Sequence, residues 1–235
     1  MARPGRARLG AAGQGLERGV AGLGSAGRGA SGLGGSWRRK ARQSTLKGSN
    51  MKTYAVTIKG ISPYSQSKHV AEKRGAKETH DDHKERTWKE RMNTNADGNV
   101  IIPPMALKNC ISEAAKYLSI QIPGKGKSTY TKHIEAGLLV TDPIVLDVKK
   151  DDVPGEWLFV PSDGKRGGSS RVMKCFPVIH DWGGEFTVYV FDETVTKDVL
   201  TQHLEEAGKF IGIGRFRPRN NGFYGRFSVE SVEEI

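Results

Sequence analysis

Long apolar runs are missing from this chain of 235 residues. None approaches the roughly 20 consecutive apolar residues that span a bilayer. The reading is a cytoplasmic protein with no membrane segment. Cysteine is scarce, with Cys110 and Cys175 alone. Both read as small core hydrophobes in a reducing compartment, with a disulfide as the alternative. No cysteine pair completes a zinc set, so no metal or cofactor is expected. Excess charge is also missing from most of the chain. Of 37 Lys/Arg and 26 Asp/Glu, residues 1–50 hold ten and one, which leaves 27 and 25, or +2, for residues 51–235. An electrostatic site there must come from clustering rather than from net charge.

Residues 1–50 have almost no β-branched or aromatic residues and contain 13 of the 30 glycines. Such a segment cannot bury enough apolar surface to offset its ordering entropy, so it is expected to be disordered. Three origins fit it: a targeting peptide, an Arg/Gly nucleic-acid tail, or upstream sequence foreign to the natural protein. The abrupt folded pattern from Met51 favours the third. Residues 51–235 then form one domain.

That domain opens with a half-buried strand, with Tyr54, Val56 and Ile58 on one face. Residues 65–92 hold eight basic and six acidic residues and little core material. They read as a solvated helical or mobile insertion. Val100-Ile-Ile102 is a short strand, and Pro103-Pro104 fixes the start of a helix. Leu107, Cys110, Ile111, Ala114, Ala115 and Leu118 make one apolar helical face. Further strands are expected at Glu135–Val140, Ile144–Val148 and Trp157–Val160. Arg171–Ile179 and Glu185–Phe191 read as a hairpin around Asp181-Trp-Gly-Gly184. A second helix starts at the N-cap Thr196 and ends at Gly208. Arg226–Val232 is the closing strand. The fold class is therefore α+β: a ferredoxin-like (RRM-like) antiparallel sheet with two helices, a charged insertion and a C-terminal Gly/Arg-rich loop.

Several chemical motifs fail on spacing. Gly124-Lys-Gly-Lys-Ser-Thr129 lacks the first glycine of a P-loop. Gly212-Ile-Gly214 follows a helix and has no third glycine for a dinucleotide fingerprint. His80-Asp-Asp-His83 and the acids Asp81, Asp82 and Asp97 read as a solvated charge run with ion pairs to Lys77, Lys84 and Arg86. His203 reads as a core or boundary histidine, and His133 and His180 are isolated. No catalytic residue is assigned.

The stretch Phe210–Phe227 differs from all of these. It has four arginines (Arg215, Arg217, Arg219, Arg226), no acid, and interleaved aromatic residues and glycines. Arginine forks suit phosphate, flat rings stack on bases, and Gly212 and Gly214 permit close approach or positive φ. With Val100-Ile-Ile-Pro-Pro-Met-Ala-Leu-Lys-Asn-Cys110, this stretch resembles the RAMP superfamily of CRISPR-associated RNA-binding proteins. Phe210–Phe227 looks like the family's C-terminal glycine-rich loop, and Val100–Cys110 like its strand-proline-helix segment with an early lysine. The resemblance implies a backbone-subunit-like protein of antiviral defence that binds single-stranded RNA (or DNA). It implies a homo-oligomer or multi-subunit ribonucleoprotein, with the 65–92 insertion reaching a neighbour. Lys108, Gly212, Gly214, Arg215, Arg217, Arg219, Tyr224 and Arg226 would bind the nucleic acid. Pro103-Pro104 stands where the family has glycine or serine, and the body is short for a full-size backbone subunit. Both features point to a phage or mobile-element relative. An endoribonuclease on the same fold and a phage protein-interaction or anti-defence module are the alternative functions.

Overall fold

The computed structural model describes residues 51–162 and 170–235. The 1–50 segment lies outside the described residues, as does most of the Gly/Ser/Lys loop expected at 162–170. Strand β1 (Lys52–Gly60) is central. Tyr54, Val56 and Ile58 are buried, while Thr53, Ala55 and Thr57 between them are only half-buried, as the alternation predicts. It pairs antiparallel with β8 (Gly183–Val190) on one side and β9 (Phe227–Glu234) on the other. The short β4 (Leu138–Val140) adds to β8, giving the order β4-β8-β1-β9. In β9, Glu230, Glu233 and Glu234 are exposed.

Helix α2 (Pro104–Leu118) begins on its N-terminal proline and buries Leu107, Cys110, Ile111, Ala114 and Ala115. Helix α4 (Lys197–Glu206) is capped by the Thr196 hydroxyl and buries Leu200, His203 and Leu204. These residues share one core with the inner face of β1 and with Phe186, Val188 and Val190 of β8. The buried His203 ring donates from Nδ1 to the Val199 carbonyl at 2.7 Å, and burial lowers its pKa. Both cysteines are buried and free. No helix of the described residues is long and apolar enough to cross a membrane.

Four local expectations change. Glu135–Val140 is mostly helix: α3 spans Thr131–Gly137, and only β4 is strand. The buried Tyr130, Ile134, Gly137 and Leu138 follow a helical period, which outweighs the local β signal. The expected hairpin of β7 (Arg171–Ile179) with β8 does not form. Instead β7 pairs with β6 (Gly155–Pro161) and with β2 (Tyr64–Ser65), making a separate three-stranded sheet. Trp182 explains the crossing between sheets. Its indole lies where a side chain on Gly60 would be, and its Nε1 donates to the Ser62 carbonyl at 2.7 Å. A third, two-stranded sheet joins β3 (Asn99–Ile102) to β5 (Ile144–Lys149). Finally, α4 does not stop at Gly208. The chain continues through a π turn, Ala207–Ile211, closed by Gly212 N–H to the Ala207 carbonyl at 2.8 Å.

The insertion carries helix α1 (His80–Thr87), fully capped by Thr79 and Asp82, followed by a 3-10 turn, Trp88–Arg91. Its ends are fixed by the buried Gln66. The Gln66 side chain donates to the Ile101 carbonyl and accepts from the Asn93 N–H, at 2.8 and 2.7 Å. Around α1 its charges pair locally, Lys84 with Asp81 and Arg86 with Glu72 and Glu78, while Lys89 and Glu90 pair with the distant Asp151 and Lys150.

Candidate nucleic-acid interface

The Gly/Arg loop is held by main-chain hydrogen bonds. Arg215 N–H donates to the Ser65 carbonyl, Gly225 N–H to the Pro63 carbonyl, and Ile213 N–H to the Gly225 carbonyl, all at 2.8–2.9 Å. The close packing needs glycine at two places. A side chain on Gly225 (φ +76°) would begin 1.8 Å from the Ile213 oxygen, and one on Gly214 (φ +83°) 2.4 Å from the Ser65 oxygen. Both glycines therefore serve the loop's contact with its own chain. Gly212 is buried, and its carbonyl accepts from the Cys110 thiol at 3.2 Å. Burial pushes that thiol's pKa up to about 12, so it remains a donor tying α2 to the loop.

Two loop arginines converge on α2. Arg217 Nη2 lies 2.6 Å from one Glu113 oxygen and Arg219 Nε 3.3 Å from the other. Lys108 Nζ donates to the Glu135 carbonyl at 2.8 Å, and Lys116 pairs with the Glu135 carboxylate at 2.6 Å. Together they line a groove of about 560 Å³. Four cations (Lys108, Lys116, Arg217, Arg219) face two carboxylates (Glu113, Glu135), a surplus of two positive charges. The buried Ser112 hydroxyl in its wall has no hydrogen-bond partner among the described residues. Tyr117, from the same wall, tilts against Phe210 at 5.8 Å, and Arg219 sits 5.4 Å from the Tyr117 ring. Both rings are about half exposed. A concave, cationic surface with open rings can take phosphates by charge and bases by stacking.

The other expected residues lie apart. The Arg215 guanidinium lies 3.4 Å from the centre of the Phe176 ring, and burial lowers its pKa. Arg226 is exposed and donates to the Lys209 carbonyl at 2.6 Å, bracing the π turn. Tyr224 is 9% exposed and donates its hydroxyl to Glu156, whereas its neighbour Phe223 is 62% exposed. Sequence reasoning missed Lys116, Tyr117 and Phe210 as site residues. The signal was the i, i+4 spacing of Lys108, Ser112 and Lys116, and of Glu113 and Tyr117, on the polar side of α2. Elsewhere, His133 Nδ1 lies 2.6 Å from the Asp192 carboxylate. Burial would raise the Asp192 pKa, but the His133 and Thr194 hydrogen bonds outweigh it and the net shift is downward. The basic turn at 123–128 forms a small loop closed by the Gln121 and Thr129 bridge.

No protein-family model and no curated protein matches the chain. Several solved structures align with part of it. A Type III-B Cmr-beta complex bound to cognate target RNA aligns at TM-score 0.47 and 12% identity, over 79% of this chain and 61% of that one. The chain thus spans under two thirds of that structure's chain. Cmr6 from Pyrococcus furiosus aligns at TM-score 0.41 and 10% identity, over 76% and 98%. A CRISPR RNA-guided surveillance complex aligns at 0.34 and 9%, over 77% and 67%. At these scores the likeness is one of outline, and the binding argument rests on this chain's own residues.

Proposed function

We propose that residues 51–235 are a ferredoxin-like, RAMP-type domain of a cytoplasmic protein that binds single-stranded RNA without cleaving it. We further propose that it assembles along its ligand in a ribonucleoprotein. The sheet order, with helices between β1 and β4 and between β8 and β9, supports the ferredoxin-like plan. The observation that carries the binding reading is the groove. Lys108, Lys116, Arg217 and Arg219 converge there beside the open rings of Tyr117 and Phe210. Glu113 occupies both arginines in the free protein and yields them to the phosphates of the RNA, whose binding is favoured by release of the counterions condensed along the strand. Gly212, Gly214, Arg215 and Arg226 shape the loop that presents them, and Tyr224 props it from below.

Salt-dependent anisotropy on the full chain with a labelled single-stranded RNA tests this. Each phosphate contact contributes roughly −0.7 to the slope of log affinity against log salt. Replacing Lys108, Arg217 and Arg219 by alanine is expected to weaken binding to all sequences and flatten the slope by about two. The 1–50 segment is common to all variants and cancels in the comparison. Lys84→Ala with Lys89→Ala on the insertion is the control and should change little. A triple variant that is folded and binds like the parent overturns the assignment. The His133 and Asp192 pair supports a second reading, RNA cleavage with His133 as the base. Loss of an observed cleavage in His133→Ala would favour that reading.

A further inference from the structure

Behind the arginine loop lies a second pocket, of about 330 Å³. That is the lower end of the range for small-molecule sites, roughly 300–1,000 Å³, and matches one planar ring system rather than a larger ligand. Its walls are Pro63, Pro154, Val178 and Phe223, with Glu156, Tyr224 and His180 as polar groups. Phe223 is the most exposed ring of the loop. It meets Tyr224 edge to face at 5.6 Å, and Tyr224 is itself buried. An open phenyl face held at a fixed angle beside prolines contributes little to the core and is suited to stacking.

The polar side of the pocket has a direction. Tyr224 is raised to about 12 by burial first and by Glu156 next, so its hydroxyl stays protonated and donates to the carboxylate. That bond anchors one oxygen of Glu156. The other oxygen receives no hydrogen bond from the described residues. Arg215, attracted to Glu156, places a positive charge behind the pair. An anchored carboxylate with one oxygen open accepts hydrogen bonds and cannot donate them.

We propose that this pocket is a nucleobase site, in which an unstacked base lies on Phe223 and gives an exocyclic amino hydrogen to Glu156. Cytosine, adenine and guanine carry such an amino group. Uracil presents the O4 carbonyl oxygen in its place, which the carboxylate repels, and its one edge donor, N3–H, is flanked by two carbonyl oxygens that oppose the approach of an anion. This goes beyond phosphate binding and rests on the nucleic-acid reading above. It makes Glu156, on β6, a specificity-determining residue beside the loop whose arginines hold the backbone in the groove.

The experiment is an anisotropy titration of the full chain with labelled oligocytidylate and oligouridylate of equal length at one salt concentration. Oligocytidylate is expected to bind at least about fivefold tighter, the low end of what one good base contact discriminates. Glu156→Gln keeps an oxygen for Tyr224 and adds an amide that donates to uracil. It is expected to bring the ratio close to one without changing the salt slope. Phe223→Ala is expected to weaken both oligomers alike, again with the slope unchanged. Thermal melts establish that each variant is folded. Equal binding of the two oligomers by the parent, or an unchanged ratio in Glu156→Gln, overturns the base site and leaves the groove reading standing. Failure to bind either oligomer overturns both.

Discussion

The insertion and the arginine loop are both dense in charge, and they use it in opposite ways. In the insertion, cations meet acids close by in sequence: Lys84 meets Asp81, and Arg86 meets Glu72 and Glu78. Apart from Lys89 and Glu90 at its C-terminal end, which pair with Asp151 and Lys150, the segment satisfies its own charges in solvent. The loop contains no acid, so its arginines find partners far away: Arg217 on Glu113, 104 residues distant, and Arg215 on Phe176. Charge density alone therefore does not mark a site. Charge of one sign with no local partner draws distant elements together, and the place where they meet is the groove.

The glycines sharpen the contrast most. Gly225→Ala sets a methyl against the Ile213 carbonyl in a left-handed backbone and is expected to cost about 3 kcal/mol or more. Gly75→Ala in the insertion meets only Glu78 at 3.5 Å and is expected to stay within about 0.5 kcal/mol. Urea unfolding of both variants measures the gap, and equal effects would mean that the loop is not held as described. Next in size, Glu113→Gln removes the carboxylate that occupies Arg217 and Arg219. Affinity for single-stranded RNA is expected to rise several-fold, on the order of 1 kcal/mol, with a steeper salt slope. A fall in affinity would place Glu113 among the ligand's own contacts. The smallest effect is expected from Arg86→Ala. Its ion pairs are exposed, and the thermal midpoint should stay within error of the parent. A clear drop would show that the insertion, too, depends on its charges.

The sequence reading reached as far as local periodicity reaches. The β1 alternation and the apolar face of α2 are visible because each encodes its own burial. The β7 and β8 hairpin misleads because a Gly-Gly turn signal is local, whereas Trp182 takes its seat over Gly60, more than a hundred residues earlier. The groove was half legible. The arginines stand out, but Lys116 and Tyr117 sit on a helix face that looks like ordinary solvent surface until the loop is folded against it. Tyr224 shows the converse. Its spacing among arginines suggests a stacking ring, and Glu156, 68 residues away, turns it inward.

Strand β9 borders the main sheet, and its exposed glutamates give that border a character of its own. An unpaired strand invites another strand, and a row of like charges discourages a second copy from accepting the invitation. The same row repels a polyanion over about 10 Å at 0.1 M salt. On the binding reading proposed above, a single strand of RNA is thus pushed from one margin of the domain and pulled toward another. The protein carries its own compass, one that orients it before any specific contact forms and that fades as salt is added.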